Sequence, residues 1–154
     1  MSTFQILRVN NLTIEEIKHL IDECTLEGFT FMTKLQDEYV TGQNRFDKRG
    51  EALYVARFDH NIVGICGLNQ DPYEKQSTIG RVRHLYVAKE FRKQRIARAL
   101  VSQIIYEAKE YYLELTLRTN NPEADRLYRS MGFSTESNYE SATHILPLLT
   151  GNSG

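Results

Sequence analysis

The chain has 154 residues, of which 41% are hydrophobic and 25% are charged, and its formal net charge is −1. This length suits one domain with its own core, and the balanced charge argues against a general nucleic-acid binder, which usually carries a basic excess. Cys24 and Cys66 stand outside any zinc-binding or disulfide-rich pattern, and the first ten residues contain no apolar signal core. We therefore expect a cytoplasmic protein without a metal, a nucleic-acid partner or a membrane span.

The first half of the chain predicts a strand, two helices and a β-hairpin. The predicted strands are residues 3–9, 53–58 and 62–68, and the predicted helices follow Thr13 and span residues 31–40. Thr13 and Glu16 form a capping-box pattern before apolar residues at helical spacing. Gly42 is typical of a helix end, and residues 59–61 predict a tight turn between the two hairpin strands.

The second half predicts strands that alternate with helices. The strands are residues 78–87, 113–117, 133–139 and 143–148, and the helices are residues 96–109 and 122–131. The order predicts an α/β (α+β) fold with a single mixed sheet of about six to seven strands, flanked by about four helices. An antiparallel meander should lead into a strand–helix–strand crossover with parallel strands. We expect one domain, residues 1–150, and a disordered tail, residues 151–154.

A basic cluster marks the start of the long helix that begins near residue 96. Its cations are Lys89, Arg92, Lys93, Arg95 and Arg98, and Glu90 is the acid among them. A helix N-terminus carries partial positive charge, so cations there are unfavourable unless an anion lies between them. Free amides, the helix dipole and these cations favour phosphate binding. From the charges alone, a solvated helix end that serves only solubility is an equally good interpretation.

A second motif favours the phosphate interpretation. The segment 121–133 reads NPEADRLYRSMGF, and an LYV triplet at 85–87 precedes the basic loop. Together these stretches resemble the GNAT superfamily of acyl-CoA N-acyltransferases. That family has a Gln/Arg-x-x-Gly-x-Gly/Ala loop before a long helix and an Asn-x-x-Ala-x-x-Leu-Tyr-x-x-x-Gly-Phe segment downstream. The matching residues are Arg92, Ala97, Asn121, Ala124, Leu127, Tyr128, Gly132 and Phe133.

The resemblance implies acetyl-CoA as the co-substrate of an N-acetyltransferase. It implies a pantetheine arm beside Leu85, Tyr86 and Val87, a diphosphate on the amides of Lys93, Gln94, Arg95, Ile96, Ala97 and Arg98, and Arg92 as a further cofactor-binding residue. Asn121 is expected to cap its helix and to contact the CoA arm. Tyr128 matches the family's general acid, which protonates the departing thiolate; the alternative is a core tyrosine.

One position departs from the family pattern. Arg95 stands where the family has the central glycine of the loop. Its Cβ would weaken close approach of phosphate, whereas its guanidinium would add a phosphate-binding group. We expect binding to be retained, because Ala97 is small and the surrounding cations remain.

The acceptor and the general base are less defined. Many family members carry a carboxylate just before the loop, where this chain has Arg81 and Arg83. With Arg45 they predict a small amine acceptor that also carries a carboxylate or phosphate. Solvated strand arginines are nearly as good an interpretation.

Three residues are candidate bases: Glu51, which also counts among the candidate substrate residues, His84 and His144. A CoA-binding sensor without catalysis is the alternative function. The sequence does not define the oligomeric state, and a homodimer is compatible with it.

Overall fold

The computed structural model describes residues 3–148. Within them it contains β1 Phe4–Arg8, α1 Lys18–Leu26, α2 Phe31–Thr41, β2 Ala52–Phe58, β3 Asn61–Gln70, β4 Ile79–Val87, α3 Ile96–Ala108, β5 Glu114–Leu117, α4 Pro122–Ser130 and β6 His144–Pro147. Short 3₁₀ turns at Ile14–Glu16 and Lys89–Phe91 precede α1 and α3. The predicted mixed sheet with flanking helices is confirmed, and the predicted tail lies outside the described residues.

The six strands form one sheet in chain order. Neighbouring strands are antiparallel except β4 and β5, which are parallel and joined by α3, as the predicted crossover requires. Within residues 3–148, β4 pairs with β5 only over residues 79–81. Residues 82–87 of β4 therefore have no strand partner on that edge, and the sheet opens there.

The helices cover both faces of the sheet. A Cβ built on Gly64 would lie 3.1 Å from Leu100 of α3, whereas one on Gly67, three residues along β3, would lie 2.5 Å from the ring of Phe46. Residues an odd number apart in a strand point to opposite faces, so α3 and Phe46 lie on opposite sides. The hydroxyl of Tyr86 reaches α1 on the same side as Phe46. Gly67 is required here because any side chain would displace the Phe46 ring.

The helix ends follow local sequence chemistry. Gly42 ends α2 in a left-handed conformation with φ of 84°, as predicted. The capping pattern at Thr13 opens the 3₁₀ turn rather than α1 itself, and the Thr13 amide donates to Glu16 at 3.2 Å. Among the helices of the described range, none is long and apolar enough to cross a bilayer.

The predicted strand at residues 133–139 is wrong. Ser134 makes an isolated bridge with Ile145 of β6, and the segment then leaves the sheet. Serine side chains satisfy the backbone instead: Ser134 Oγ accepts from the amide of Glu136 at 3.0 Å, and Ser137 Oγ accepts from Tyr139 at 3.0 Å. Such local hydrogen bonds compete with strand pairing.

Candidate active site

A cavity of about 920 Å³ lies where β4 separates from β5. It extends from the α1–α2 turn, past β4 and the start of α3, to the loop before α4. The predicted site residues that line it are Arg81, Arg83, Leu85, Tyr86, Val87, Arg92, Lys93, Arg95, Ile96, Ala97, Arg98, Asn121 and Tyr128. Gln94 is exposed beside it without lining it. The structure thus brings the two motif segments to one place.

Strand β4 carries a bulge beside this cavity. Two of its residues, His84 and Leu85, lie opposite a single residue of β3, Cys66. His84 has a φ of 61°, which is uncommon for a residue with a side chain. A bulge leaves one residue unpaired and redirects the backbone near it. Together with the absent β5 partner, the bulge leaves the β5 side of residues 85–87 open to the cavity, although the Val87 carbonyl already accepts from Arg92.

The loop before α3 presents amides and cations to the cavity. Lys93 and Arg95 both adopt left-handed conformations with φ of 66°. The first hydrogen bond of α3 runs from the Ala99 amide to the Arg95 carbonyl at 3.0 Å. The amides of residues 96–98 therefore have no acceptor within the helix. Because those residues line the cavity and both loop cations are exposed, the helix start suits an anion.

Arg92 is held within the chain. Its Nη1 and Nη2 donate to the two carboxylate oxygens of Glu27 at 3.0 and 2.7 Å, and its Nε donates to the Val87 carbonyl at 2.9 Å. This hydrogen bonding raises the pKa of Arg92 and lowers the pKa of Glu27. Arg92 thus lies in the cavity wall with its charge already matched by a carboxylate.

Tyr128 is both a packed residue and a cavity residue. It is 4% exposed, and its ring packs on Phe133 and His144 with centroid distances of 5.3 and 5.9 Å. Burial, with a smaller effect from Cys66, raises the pKa of Tyr128 well above the ordinary value for a tyrosine. Tyr128 therefore carries its proton at neutral pH, as a proton donor must.

The residues around α4 fix its position. Asn121 Oδ1 accepts from the amides of Glu123 and Ala124 at 2.8 and 3.2 Å, so the predicted helix cap is present. His144 lies 2.8 Å from Asp125 through Nε2 and 2.7 Å from Thr143 through Nδ1. His144 lines neither this cavity nor the smaller one beside it. Its prediction as a base is corrected: it joins α4 to β6.

The two strand arginines have different surroundings. Arg81 and Arg83 lie opposite Asn69 and Gly67 of β3, so they share one face of β4 as predicted. Arg81 is 6% exposed and pairs with buried Asp71 at 3.3 Å, so its guanidinium is not free for an acceptor. Arg83 is half-buried and pairs with no acidic side chain in the part of the chain that the structure describes.

A second cavity of about 310 Å³ adjoins the first. Lys34, Tyr73 and Arg83 line both cavities. Glu51 lines the second, where its Oε2 accepts from Asn69 at 2.9 Å. Arg45 lines neither cavity, because it turns back and donates to the carbonyl of Tyr39 at 3.1 Å at the end of α2. Its predicted place in the acceptor cleft is therefore wrong.

His84 is buried beside the cavity. It is 8% exposed, and neither ring nitrogen finds a hydrogen-bond partner within residues 3–148. Burial, aided by repulsion from Arg83, lowers the pKa of His84 to about 3. His84 is therefore neutral, and both nitrogens are shielded from the cavity it borders. Across the described residues no cluster of three or more His, Cys, Asp or Glu side chains is arranged to hold a metal.

Sequence reasoning missed one wall of the site. Glu27, Phe29, Phe31, Lys34 and Tyr73 line the large cavity, and four of them come from α1, α2 and the turn between them. No motif surrounds these residues, and they reach the site only through the packing of α1 and α2 on the sheet.

Comparisons with known proteins agree with this geometry. The family model for the acetyltransferase (GNAT) domain matches residues 49–135. A human protein, N-acetyltransferase 8, is 33% identical over 107 residues, which are 66% of this chain and 47% of that protein. This chain therefore spans about half the length of that curated relative.

Solved structures share the whole fold. A protein from Exiguobacterium sp. 255-15, assigned as an acetyltransferase, has a TM-score of 0.82 and 29% identity, with 94% of this chain and 93% of that chain covered. A GNAT-family acetyltransferase from Staphylococcus aureus Mu50 has a TM-score of 0.75 at 18% identity, with 96% and 100% covered. The chain belongs to the GNAT family of acetyltransferases, whose members catalyse acetyl transfer.

Proposed function

We propose that the chain is an N-acetyltransferase that moves the acetyl group of acetyl-CoA to the primary amine of a small, acidic acceptor. The observation that supports this proposal is the large cavity, which joins the start of α3, with its free amides and exposed cations, to the buried Tyr128. In this proposal the diphosphate binds the amides of residues 93–98, and the pantetheine arm lies along Leu85, Tyr86 and Val87. Asn121 contacts the arm beside its capped helix.

The proposed reaction is a direct attack. The amine nitrogen forms a bond to the thioester carbonyl carbon, and the C–S bond breaks as the carbonyl reforms. A backbone amide of Leu85 or Tyr86 stabilises the developing oxyanion, and Tyr128 donates its proton to the departing thiolate. The amine loses one proton, which passes through water to Glu51 in the adjoining cavity. Glu51 is favoured over His84 because it lines an open cavity, whereas the nitrogens of His84 are shielded.

The acidic acceptor is supported by Arg83. Its side chain borders both cavities, and no acid of the described residues pairs with it. Lys34 adds a second cation, although it lies 4.0 Å from Glu38. A guanidinium matches carboxylate and phosphate geometry well. We therefore place the acceptor's acidic group at Arg83 and its amine towards the cavity that holds Tyr128.

A turnover screen tests this function. Thiol release from acetyl-CoA is measured with three amines of different charge: glutamate, tyramine and spermidine. The proposal expects turnover that is fastest with the acidic amine. Acetyl-CoA binding without turnover on any amine would favour the sensor, and preference for spermidine would contradict the acidic acceptor. The cytoplasmic location and the homodimer stay predictions.

A further inference from the structure

A hydrogen-bond network joins α1 to the segment that leads into α3. At its centre, the carboxylate of Glu27 receives two bonds from Arg92, at 3.0 and 2.7 Å. The hydroxyl of Tyr86 donates to the same carboxylate at 2.5 Å. Tyr86 and Arg92 lie on either side of the 3₁₀ turn at Lys89–Phe91, so one carboxylate holds both ends of the turn.

A second carboxylate of α1 holds the turn itself. Glu23 accepts from the backbone amide of Lys89 at 2.6 Å and lies 2.9 Å from the Tyr86 hydroxyl. Glu23 and Glu27 are four residues apart and therefore lie on one face of the helix. The last turn of α1 and its C-cap residue Glu27 thus fix residues 86, 89 and 92, which lie directly before the helix start that lines the cavity.

The guanidinium of Arg92 is hydrogen-bonded to groups of the protein itself. Three of the five N–H donors of a guanidinium point to protein acceptors here, two to Glu27 and one to the Val87 carbonyl. The side chain also lies over the Tyr86 ring, 5.3 Å from its centroid. A bidentate pair of this kind is geometrically specific as well as strong. Moving Arg92 onto a ligand would break this pair and leave the Glu27 carboxylate beside the cavity without its counter-ion, with the Tyr86 hydroxyl as its remaining donor.

We infer that Glu27 is a positioning residue for CoA binding. By pairing with Arg92 it fixes the loop before α3, residues 92–95, in the conformation that binds the diphosphate, and Arg92 is not itself a phosphate ligand. This inference rests on the proposed function, since it requires that the loop bind CoA. The alternative arrangement, in which Arg92 binds phosphate directly, predicts a change in CoA affinity of the opposite sign. If Arg92 were a phosphate ligand restrained by Glu27, removing that carboxylate would free a cation and remove a repulsive charge, and CoA would bind more tightly.

Calorimetric titration of acetyl-CoA into Glu27→Gln distinguishes the two arrangements. We expect the Kd to rise roughly tenfold, because a loop displaced by part of an ångström loses aligned contacts. Arg92→Gln should give a similar loss. The double variant should be no worse than either single variant, since the two side chains act as one unit. In turnover, the KM for acetyl-CoA should rise while kcat at saturation is retained.

Glu16→Gln is the matched control. It breaks the Glu16–Arg57 pair, which has a 2.9 Å contact and similar exposure but lies outside both cavities. This variant should lower Tm by about as much as Glu27→Gln and leave the Kd for acetyl-CoA unchanged. Tighter or unchanged binding in Glu27→Gln would overturn the inference alone. Absence of acetyl-CoA binding by the wild-type chain would overturn the proposed function and the inference together.

Discussion

Nη1 of Arg81 lies 3.3 Å from Oδ2 of Asp71, in a pair whose side chains are 7% and 0% exposed. Asp71 also accepts from the amide of Tyr73 at 2.7 Å and from the hydroxyl of Thr116. Arg81 donates from Nη2 to the carbonyl of Ser141 at 2.9 Å. The pair therefore joins β4 to β5 and to two loops at the point where the sheet divides.

Arg81→Ala is expected to destabilise the fold by about 3–5 kcal/mol, because it leaves the Asp71 carboxylate buried without its counter-ion. Denaturant unfolding followed by circular dichroism measures this loss. Arg83→Ala serves as the control, since Arg83 is half-buried and has no acidic partner in the described range; it should change stability by less than about 0.5 kcal/mol. Equal losses in the two variants would show that the Arg81–Asp71 pair has no special structural role.

Arg83→Ala should instead weaken binding of the acceptor. Hydrogen bonds to charged groups contribute roughly 1.5–3 kcal/mol, so the KM for an acidic amine should rise about 10- to 100-fold. The KM for acetyl-CoA should remain as in the wild type. Arg45→Ala is the matched control, because Arg45 is an exposed arginine outside both cavities. An unchanged acceptor KM in Arg83→Ala would remove Arg83 from the acceptor site.

Tyr128→Phe removes the proposed acid and little else. General acid catalysis contributes roughly 10²–10⁴-fold, so kcat should fall by a factor in that range. The affinity for acetyl-CoA and the Tm should change little, because the ring contacts with Phe133 and His144 persist. Tyr106→Phe, an exposed position, provides the control. A wild-type rate in Tyr128→Phe, with chemistry shown to be rate-limiting, would return Tyr128 to a packing role.

The pH profile gives a second test of Tyr128. A phenol donates only below its pKa, and burial raises the pKa of Tyr128. The protonated form therefore persists to higher pH than an ordinary tyrosine allows. We expect kcat to show no loss from tyrosine ionisation up to about pH 10, the pKa of an unperturbed tyrosine. A fall in kcat near neutral pH that disappears in Tyr128→Phe would contradict the raised pKa.

Arg95→Gly separates backbone strain from phosphate binding. Arg95 has a φ of 66°, and a left-handed residue other than glycine costs roughly 1–2 kcal/mol. The glycine variant should therefore raise the Tm while it raises the Kd for acetyl-CoA, because the guanidinium is lost. Asp59→Gly is the control: Asp59 also has a positive φ, 56°, but lies in the β2–β3 turn away from the cavities. Tighter acetyl-CoA binding in Arg95→Gly would show that Arg95 hinders the phosphate.

The sequence predicted most of the fold because its local signals agreed with its packing. Helical spacing, Gly42 and the apolar hairpin strands each specify one element, and the crossover rule orients β4 and β5. The strand predicted at residues 133–139 is wrong because Ser134 and Ser137 accept from the amides of Glu136 and Tyr139. Whether such local bonds form or the segment pairs with a strand depends on its neighbours in the fold. Strand pairing is non-local, and a single segment carries little information about it.

The site was predictable where motifs are contiguous and not where partners are distant. The loop and α4 residues line one cavity as the resemblance implies. Glu27 and Arg92 are 65 residues apart. Asp71 and Arg81 are ten residues apart, at the connection between β3 and β4, and no motif marks their pairing. The sequence therefore could not distinguish Arg83, which has no acidic partner among residues 3–148, from Arg81 and Arg92, which pair within the chain.

The measurement that tests the central claim most directly is a calorimetric titration of acetyl-CoA into two matched variants of the α3 start. Ala97 and Ala99 are both half-buried in its first turn, but Ala97 lines the cavity and Ala99 does not. A leucine at position 97 blocks close approach of the diphosphate to the helix amides. The account predicts that wild type and Ala99→Leu bind and that Ala97→Leu does not. Equal binding by both variants, or no binding by the wild type, would contradict it.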